Sequence, residues 1–131
     1  MDETPDGALA LVILLDQAPR NLFRGDPRAF STDSLALSVA EAALGRGFDR
    51  RVGRAMRSFF YLPFEHAEDS AAQSRCLDLF AAMNDREGLR YAEIHADVIA
   101  RFGRFPHRNA ILGRASTAAE RTFLASGGFA G

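Results

Sequence analysis

The apolar positions of this chain recur every three to four residues, a spacing that places them on one face of an α-helix. No pair of strand-like segments and no hairpin signal interrupts this pattern. The predicted helices run from about Pro5 to Ala18, Ser31 to Gly45, Val52 to Leu62, Asp69 to Ala81, Asp85 to Phe102 and Thr117 to Leu124. We therefore expect an all-α fold, an antiparallel helical bundle with short connections.

Several residues mark the predicted helix ends. Thr4 has the place of an N-cap, and Thr117 with Glu120 three residues later has the spacing of a capping box. Pro19 and Pro63 should end the first and third helices, because proline lacks the N–H group that a helix interior needs. The connections between the predicted helices are where polar side chains concentrate.

Length and composition indicate one globular domain. The chain has 131 residues, of which 47% are apolar and 25% charged. We assign residues 1–131 to a single domain and expect residues 1–4 and 126–131 to fray. A net charge of −1 provides no field for nucleic acid or an anionic membrane, so neither is an expected partner. The single Cys76 excludes an internal disulfide and suits a reducing cytoplasm, where we expect the protein to reside.

Hydrogen-bonding side chains cluster in three stretches, LLDQAPRNLFRG (14–25), YLPFEHAED (61–69) and FGRFPHRNAILGRAST (102–117). Short irregular segments seldom hold so many donors and acceptors without a shared purpose. We expect the three stretches to converge on one buried or half-buried network. The candidate ligand-binding residues are Asp16, Gln17, Arg20, Asn21, Glu65, His66, Arg104, His107, Arg108 and Asn109.

A histidine is the expected general base if the protein is an enzyme, acting beside Arg104 or Arg108. The candidate catalytic residues are His66, His95 and His107. His95 shares a helical face with apolar residues, so a neutral core histidine is the alternative for it. In that interpretation its hydrogen-bond partners are Gln73 and Asp16.

Metal and nucleophile signals are weak in this sequence. His66 and Asp69 form a pair at a spacing of three residues, but in the reverse order to a usual metal-binding pair. We interpret Asp69 as a helix cap and His66 as a locally paired side chain, and expect no metal. Cys76 lies on an apolar stripe, where a thiol is structural rather than reactive. No cofactor is expected.

All 16 basic residues are arginine, and the chain after residue 100 has a local excess of positive charge. The residues concerned are Arg101, Arg104, Arg108, Arg114 and Arg121, set against Glu120. Their guanidinium groups suit a phosphate or a carboxylate. Alternatively they pair internally with the acidic side chains Glu65, Glu68 and Asp69. The sequence leaves both possibilities open.

The three polar stretches resemble those of a bacterial family catalogued as domain of unknown function 924, and the likeness extends from about Leu9 to Phe129. The resemblance implies a tetratricopeptide-like fold, here a short α-α superhelix, and no assigned activity. Two features depart from the family pattern. Ala18 stands where a bulky aromatic residue is usual, and the usual first helical segment with its Trp-Phe pair is lacking, which implies a shortened N-terminus.

The function we expect is that of a binding or scaffold module for a peptide, a partner helix or a small anionic ligand. The alternative is an enzyme that uses a histidine general base with arginines in a polar cleft. The first helix is apolar around most of its circumference, and the family's extra segment would help to cover it. We therefore expect a homodimer formed through the 5–18 helix.

Overall fold

The computed structural model describes residues 2–131, and every regular element within them is helical. The all-α prediction is confirmed, whereas the tetratricopeptide-like superhelix stays a prediction. The α-helices are α1 (Pro5–Leu22), α2 (Asp33–Gly45), α3 (Arg54–Arg57), α4 (Leu62–Glu65), α5 (Ser70–Ala82), α6 (Arg86–Phe102), α7 (Asn109–Leu112) and α8 (Ala118–Ala125). Short 3-10 helices lie at Pro27–Phe30, Phe48–Arg51, Ser58–Phe60 and Pro106–Arg108.

The core forms where two helical pairs, α1 with α2 and α5 with α6, meet around the short helix α4. Phe60, Phe64 and Phe80 are among its largest fully buried side chains. A smaller apolar cluster that includes Val98 and Phe105 lies towards the C-terminal end of α6. Because α4 contacts both pairs, the residues that end it lie in the middle of the fold.

Helix α1 continues through Pro19 to Leu22, so the prediction that Pro19 ends it, and the boundary at residue 18, are wrong. A proline inside a helix leaves the carbonyl four residues earlier without its N–H donor. That carbonyl belongs to Leu15, and it accepts a hydrogen bond of 2.6 Å from the Thr32 hydroxyl instead. Thr32 consequently makes no side-chain cap for α2, although it occupies the N-cap position.

The prediction of one helix from Val52 to Leu62 is also wrong, because this segment is divided between α3, a 3-10 helix and the start of α4. Pro63 lies in the first turn of α4, where its missing N–H would have had no helical partner. The other predicted helices are found, and the caps predicted for α5 and α8 behave as expected, whereas the cap predicted for α2 makes no side-chain hydrogen bond. Asp69 caps α5, and Thr117 with Glu120 forms the capping box of α8.

Apolar side chains of α1 and α2 face outwards. Leu14 is 55% exposed, Leu22 74% and Leu35 55%, while Leu11 and Leu15 are half-buried. The homodimer through this helix stays a prediction. Among residues 2–131, no helix combines the length and the apolar character that crossing a membrane requires.

The bond between Thr32 and Leu15 generates the first testable prediction. We expect Thr32→Val to lower the free energy of unfolding by about 1–3 kcal/mol, because it leaves the Leu15 carbonyl without a donor. Urea denaturation measures the change. Thr122→Val is the matched control, since the Thr122 hydroxyl is exposed and bonds to a carbonyl within its own helix. Equal losses in the two variants would contradict the role of Thr32.

Candidate functional site

The three polar stretches meet at His66, which lies at the end of α4. Its ring nitrogen Nδ1 is 2.8 Å from Asp16 Oδ1 on α1. Its backbone carbonyl accepts a hydrogen bond of 3.0 Å from Arg108, which belongs to the third stretch. One residue thus connects segments that are 50 and 42 positions away in the chain. The interpretation of His66 as a locally paired side chain is therefore wrong.

Asp16 is the buried charge of this network, with only 1% of its surface exposed. Gln17 donates to Oδ2 at 2.6 Å, and Arg20 donates to the Asp16 carbonyl at 2.8 Å. Burial alone would raise the pKa of the Asp16 carboxyl, but the hydrogen bond and charge of His66, helped by Arg20, lower it below its usual value. Asp16 is ionised and can only accept a hydrogen bond, so the Nδ1 of His66 carries the proton of this bond. The other ring nitrogen of His66, Nε2, is not bonded to Asp16.

Arg20 joins α1 to the start of α2. Its guanidinium group donates two parallel hydrogen bonds to Asp33, at 2.7 and 2.9 Å. Such a forked pair fixes orientation as well as distance. It places the Arg20 side chain at the rim of the polar network, beside the ring of Phe30.

Gln73 of α5 fixes the position of the segment from Glu65 to Ala67, where α4 ends. Its side-chain amide nitrogen donates to the carbonyls of Glu65 at 2.7 Å and Ala67 at 2.9 Å. These carbonyls lie at a helix C-terminus, where backbone acceptors lack partners within the helix. Gln73 therefore orients Glu65 and His66 rather than bonding to His95 as expected.

His95 enters the site from α6. Its Nδ1 is 2.7 Å from the Tyr91 carbonyl, an acceptor, so this nitrogen is the protonated one. The free Nε2 lies 3.9 Å from Glu65 Oε2. Burial is the main cause that lowers the pKa of His95 to about 4, so the ring is neutral at pH 7. The neutral state fits the core-histidine interpretation, but the expected partners Gln73 and Asp16 are wrong.

Glu65 faces His95 with its charge poorly compensated. Burial, together with the nearby negative charge of Asp16, raises the pKa of Glu65 to about 7. Only 5% of Glu65 is exposed, and its Oε1 has no hydrogen-bond partner in the protein. Near neutral pH this carboxyl group is therefore present in both its protonated and its ionised form.

Arg108 is buried between two aromatic rings. Its guanidinium carbon lies 4.5 Å from the centre of the Phe30 ring and 4.6 Å from that of Phe105. Asp33 is its ion-pair partner, at 3.9 Å, and its Nε has no partner in the protein. Burial lowers the pKa of Arg108 to about 10, which keeps the group charged at pH 7. Arg108 is thus a buried cation with little of its hydrogen-bonding capacity used.

Other arginines of the third stretch pair internally. Arg114 donates to both oxygens of Glu68, at 2.8 and 3.0 Å, as the internal-pairing alternative expected. Arg104 instead binds Glu120, at 2.7 and 2.8 Å. These pairs tie the third stretch to α8 and to the connection before α5. Neither Arg104 nor Arg114 lines the cavity described next.

A cavity of about 660 Å³ lies beside this network. Its polar lining comprises Arg20, Arg24, Glu65, His66, His95, His107 and Arg108. Its aromatic lining comprises Phe30, Tyr91, Phe105 and Phe129. Of the ten candidate ligand-binding residues, the structure brings Arg20, Glu65, His66, His107 and Arg108 to the cavity wall. A second cavity of about 480 Å³ shares Phe30, His66 and Arg108 with the first.

The remaining candidates have structural positions. Asn109 donates to Ser116 at 3.1 Å and accepts from Arg114 at 3.0 Å, and Asn21 bonds to the carbonyl of Gln17 at the surface. Sequence reasoning missed five of the polar and aromatic lining residues, Arg24, Phe30, Tyr91, Phe105 and Phe129. Arg24 stood within the first polar stretch, but nothing in the sequence showed that Phe129 reaches the site. Within residues 2–131, His, Cys, Asp and Glu form no group of three that could hold a metal ion.

The raised pKa of Glu65 predicts how stability depends on pH. As pH rises from about 4.5 to about 7, the unfolded carboxyl ionises while the folded one keeps its proton, so the native state loses stability. We expect Glu65→Gln, which cannot ionise, to gain on the wild type by on the order of 3 kcal/mol between pH 4.5 and pH 8. Denaturation at both pH values measures this, with exposed Glu93→Gln as the matched control. A difference that does not change with pH would contradict the buried environment of Glu65.

Comparison with known proteins places the chain in a family. The family model for bacterial proteins of unknown function, DUF924, matches residues 1–128. The structure is similar to that of ATU0120, a protein of unknown function from Agrobacterium tumefaciens, with a TM-score of 0.92 and 50% sequence identity over 96% of this chain and 71% of that one. No curated protein matches the chain. The chain belongs to the DUF924 family of bacterial proteins of unknown function.

Proposed function

We propose that the 660 Å³ cavity binds a small molecule that carries an anionic group. The observation that carries this proposal is a concentration of unused polar atoms. Five buried side-chain atoms have no hydrogen-bond partner in the protein, and three of them, Glu65 Oε1, His107 Nδ1 and Arg108 Nε, belong to residues that line this cavity. Buried polar groups are nearly always bonded in folded proteins, so a cluster of unbonded ones beside an open space favours a ligand.

Charge favours an anion. Among its side chains, the lining holds three arginines, Arg20, Arg24 and Arg108, against one carboxyl group, that of Glu65. Arg20 is neutralised by Asp33, but Arg24 has no carboxylate partner among the described residues. Glu65 adds no full negative charge near pH 7, because its pKa is raised to about 7. Arg24 is therefore the cation most available to a phosphate or carboxylate.

The volume of the cavity helps to choose among the ligands that the sequence left open, which are a peptide, a partner helix and a small anionic molecule. Pockets of roughly 300–1,000 Å³ suit small molecules. A partner helix, about 10 Å across with its side chains, needs a long open groove rather than a cavity of this volume. The lining, with several aromatic rings and a few polar groups, is also typical of a small-molecule site. A small anionic ligand therefore fits better than a partner helix.

Binding of simple anions tests the proposal. We expect inorganic phosphate and acetate to bind the wild-type protein, with the affinity falling roughly tenfold in Arg24→Gln, because one charge-assisted hydrogen bond is lost. Isothermal titration calorimetry measures both. Arg51→Gln is the matched control, since it removes the same charge from an exposed site outside the cavity. The proposal would be contradicted if neither anion bound, or if the two variants behaved alike.

A second candidate function, general acid–base catalysis, is favoured by the bond between Asp16 and His66. A buried carboxylate that holds Nδ1–H orients a histidine for proton transfer at Nε2, as in hydrolase triads. Glu65, with a pKa of about 7, lies in the same lining and can supply or accept a proton. A compound that co-purifies with the protein and is returned unchanged after incubation with it would count against an enzyme.

A further inference from the structure

The ring of Phe129 lines the cavity and packs on a surface made by three other rings. Its centre is 4.6 Å from that of His95, 5.3 Å from that of His107 and 6.4 Å from that of Phe105. The Phe129 ring is nearly perpendicular to His107, an arrangement that aromatic pairs prefer. We call the surface formed by His95, Phe105 and His107 the aromatic seat.

The aromatic seat is uncharged near neutral pH. Burial lowers the pKa of both His95 and His107 to about 4, so both imidazole rings are neutral there. Phe105 is fully buried and completes the apolar side of the seat. A neutral surface of this kind suits an aromatic ring rather than a second anion.

The segment that carries Phe129 makes few hydrogen bonds with the rest of the protein. Helix α8 ends at Ala125, and the Gly128 N–H donates to the Phe123 carbonyl at 2.9 Å. From residue 129 to residue 131, no hydrogen bond joins the chain to the rest of the described protein. Phe129 is half-buried and is held in the seat by the contacts of its ring. Another ring that made the same contacts could therefore replace it.

The seat and the arginines border one cavity. Arg24 and Arg108 line the same space as Phe129 and the aromatic seat. A molecule with a ring at one end and an acid group at the other could use both features at once. Neither a bare inorganic anion nor a purely apolar molecule would do so.

We propose that the cavity takes an aromatic carboxylic acid, whose ring displaces Phe129 from the aromatic seat while its carboxylate meets Arg24. The inference rests on the proposed anion-binding function and adds the class of ligand. It assigns His95, Phe105 and His107 to recognition of the ring. It also implies that the Phe129 ring packs against the aromatic seat when no ligand is bound.

Phenylacetate and acetate are the matched probes, because they differ only by the ring. We expect phenylacetate to bind the wild-type protein at least roughly tenfold more tightly than acetate, from the apolar area that the ring buries. Phe129→Ala should tighten phenylacetate binding more than it changes acetate binding, since the ring that competes with phenylacetate is gone. Calorimetric titration of both probes into both proteins measures these four affinities.

A fluorescence reporter follows the displacement directly. The chain contains no tryptophan, so Phe129→Trp places the protein's single indole in the aromatic seat. Phenylacetate should shift its emission to longer wavelength as the indole moves into water, whereas acetate should not. Leu22→Trp is the matched control, because Leu22 is 74% exposed and lies outside the cavity.

The outcomes distinguish this inference from the function on which it rests. Acetate binding that depends on Arg24, with no gain from the ring, would overturn the aromatic ligand and leave the anion site standing. Weaker phenylacetate binding in Phe129→Ala would also overturn it, since Phe129 would then be a fixed wall of the site. If acetate, phosphate and phenylacetate all failed to bind, the anion site itself would be contradicted.

Discussion

Asp16 is a carboxylate on the inner side of α1, removed almost completely from water, and it requires partners from other parts of the chain. An isolated buried charge is strongly unfavourable, and pairing with hydrogen bonds is what makes burial tolerable. His66 supplies the longest-range of these bonds, and Gln17 and Arg20 supply the rest. The need to compensate Asp16 therefore fixes where the end of α4 lies against α1.

The same compensation determines the character of the cavity. Arg20 is shared between Asp16 and Asp33, which leaves Asp33 only a distant contact with Arg108 at 3.9 Å. Burial and the nearby charge of Asp16 raise the pKa of Glu65 to about 7, so its carboxyl group is only partly ionised near neutral pH. The cavity wall therefore contains a cation, Arg108, and an acid group, Glu65, and each has a buried polar atom without a hydrogen-bond partner in the protein. Apolar residues at these two positions would stabilise the protein more. The presence of a cation and an acid group there therefore favours a functional role for them.

Local signals in the sequence predicted the helices well and the long-range contacts poorly. The caps at Asp69 and Thr117 depend on residues within three positions, and both could be read directly. Helix α1 passes Pro19 because Thr32, seventeen positions from Leu15, replaces the lost donor, and no local rule contains that information. The His95 partner was accessible in principle, because Tyr91 lies one helical turn before it.

The same contrast between local signals and long-range contacts holds for the residues of the site. The three polar stretches were visible as concentrations of donors and acceptors, and part of each borders the cavity. Which members reach the cavity depends on packing, so Arg104 and Asn109 proved to be structural while Arg24 was missed. Phe129 could not have been found, since a glycine-rich end with one aromatic residue is typical of a frayed terminus.

The central claim is that the polar wall is retained for a ligand and not for stability, and Arg108→Met tests it most directly. Methionine fills the space between Phe30 and Phe105 without a charge. The measurement is the free energy of unfolding of this variant and of the wild type, each with and without inorganic phosphate. The account predicts a variant within about 1 kcal/mol of the wild type, or more stable, that phosphate no longer stabilises. A strongly destabilised variant that phosphate still stabilises would contradict it.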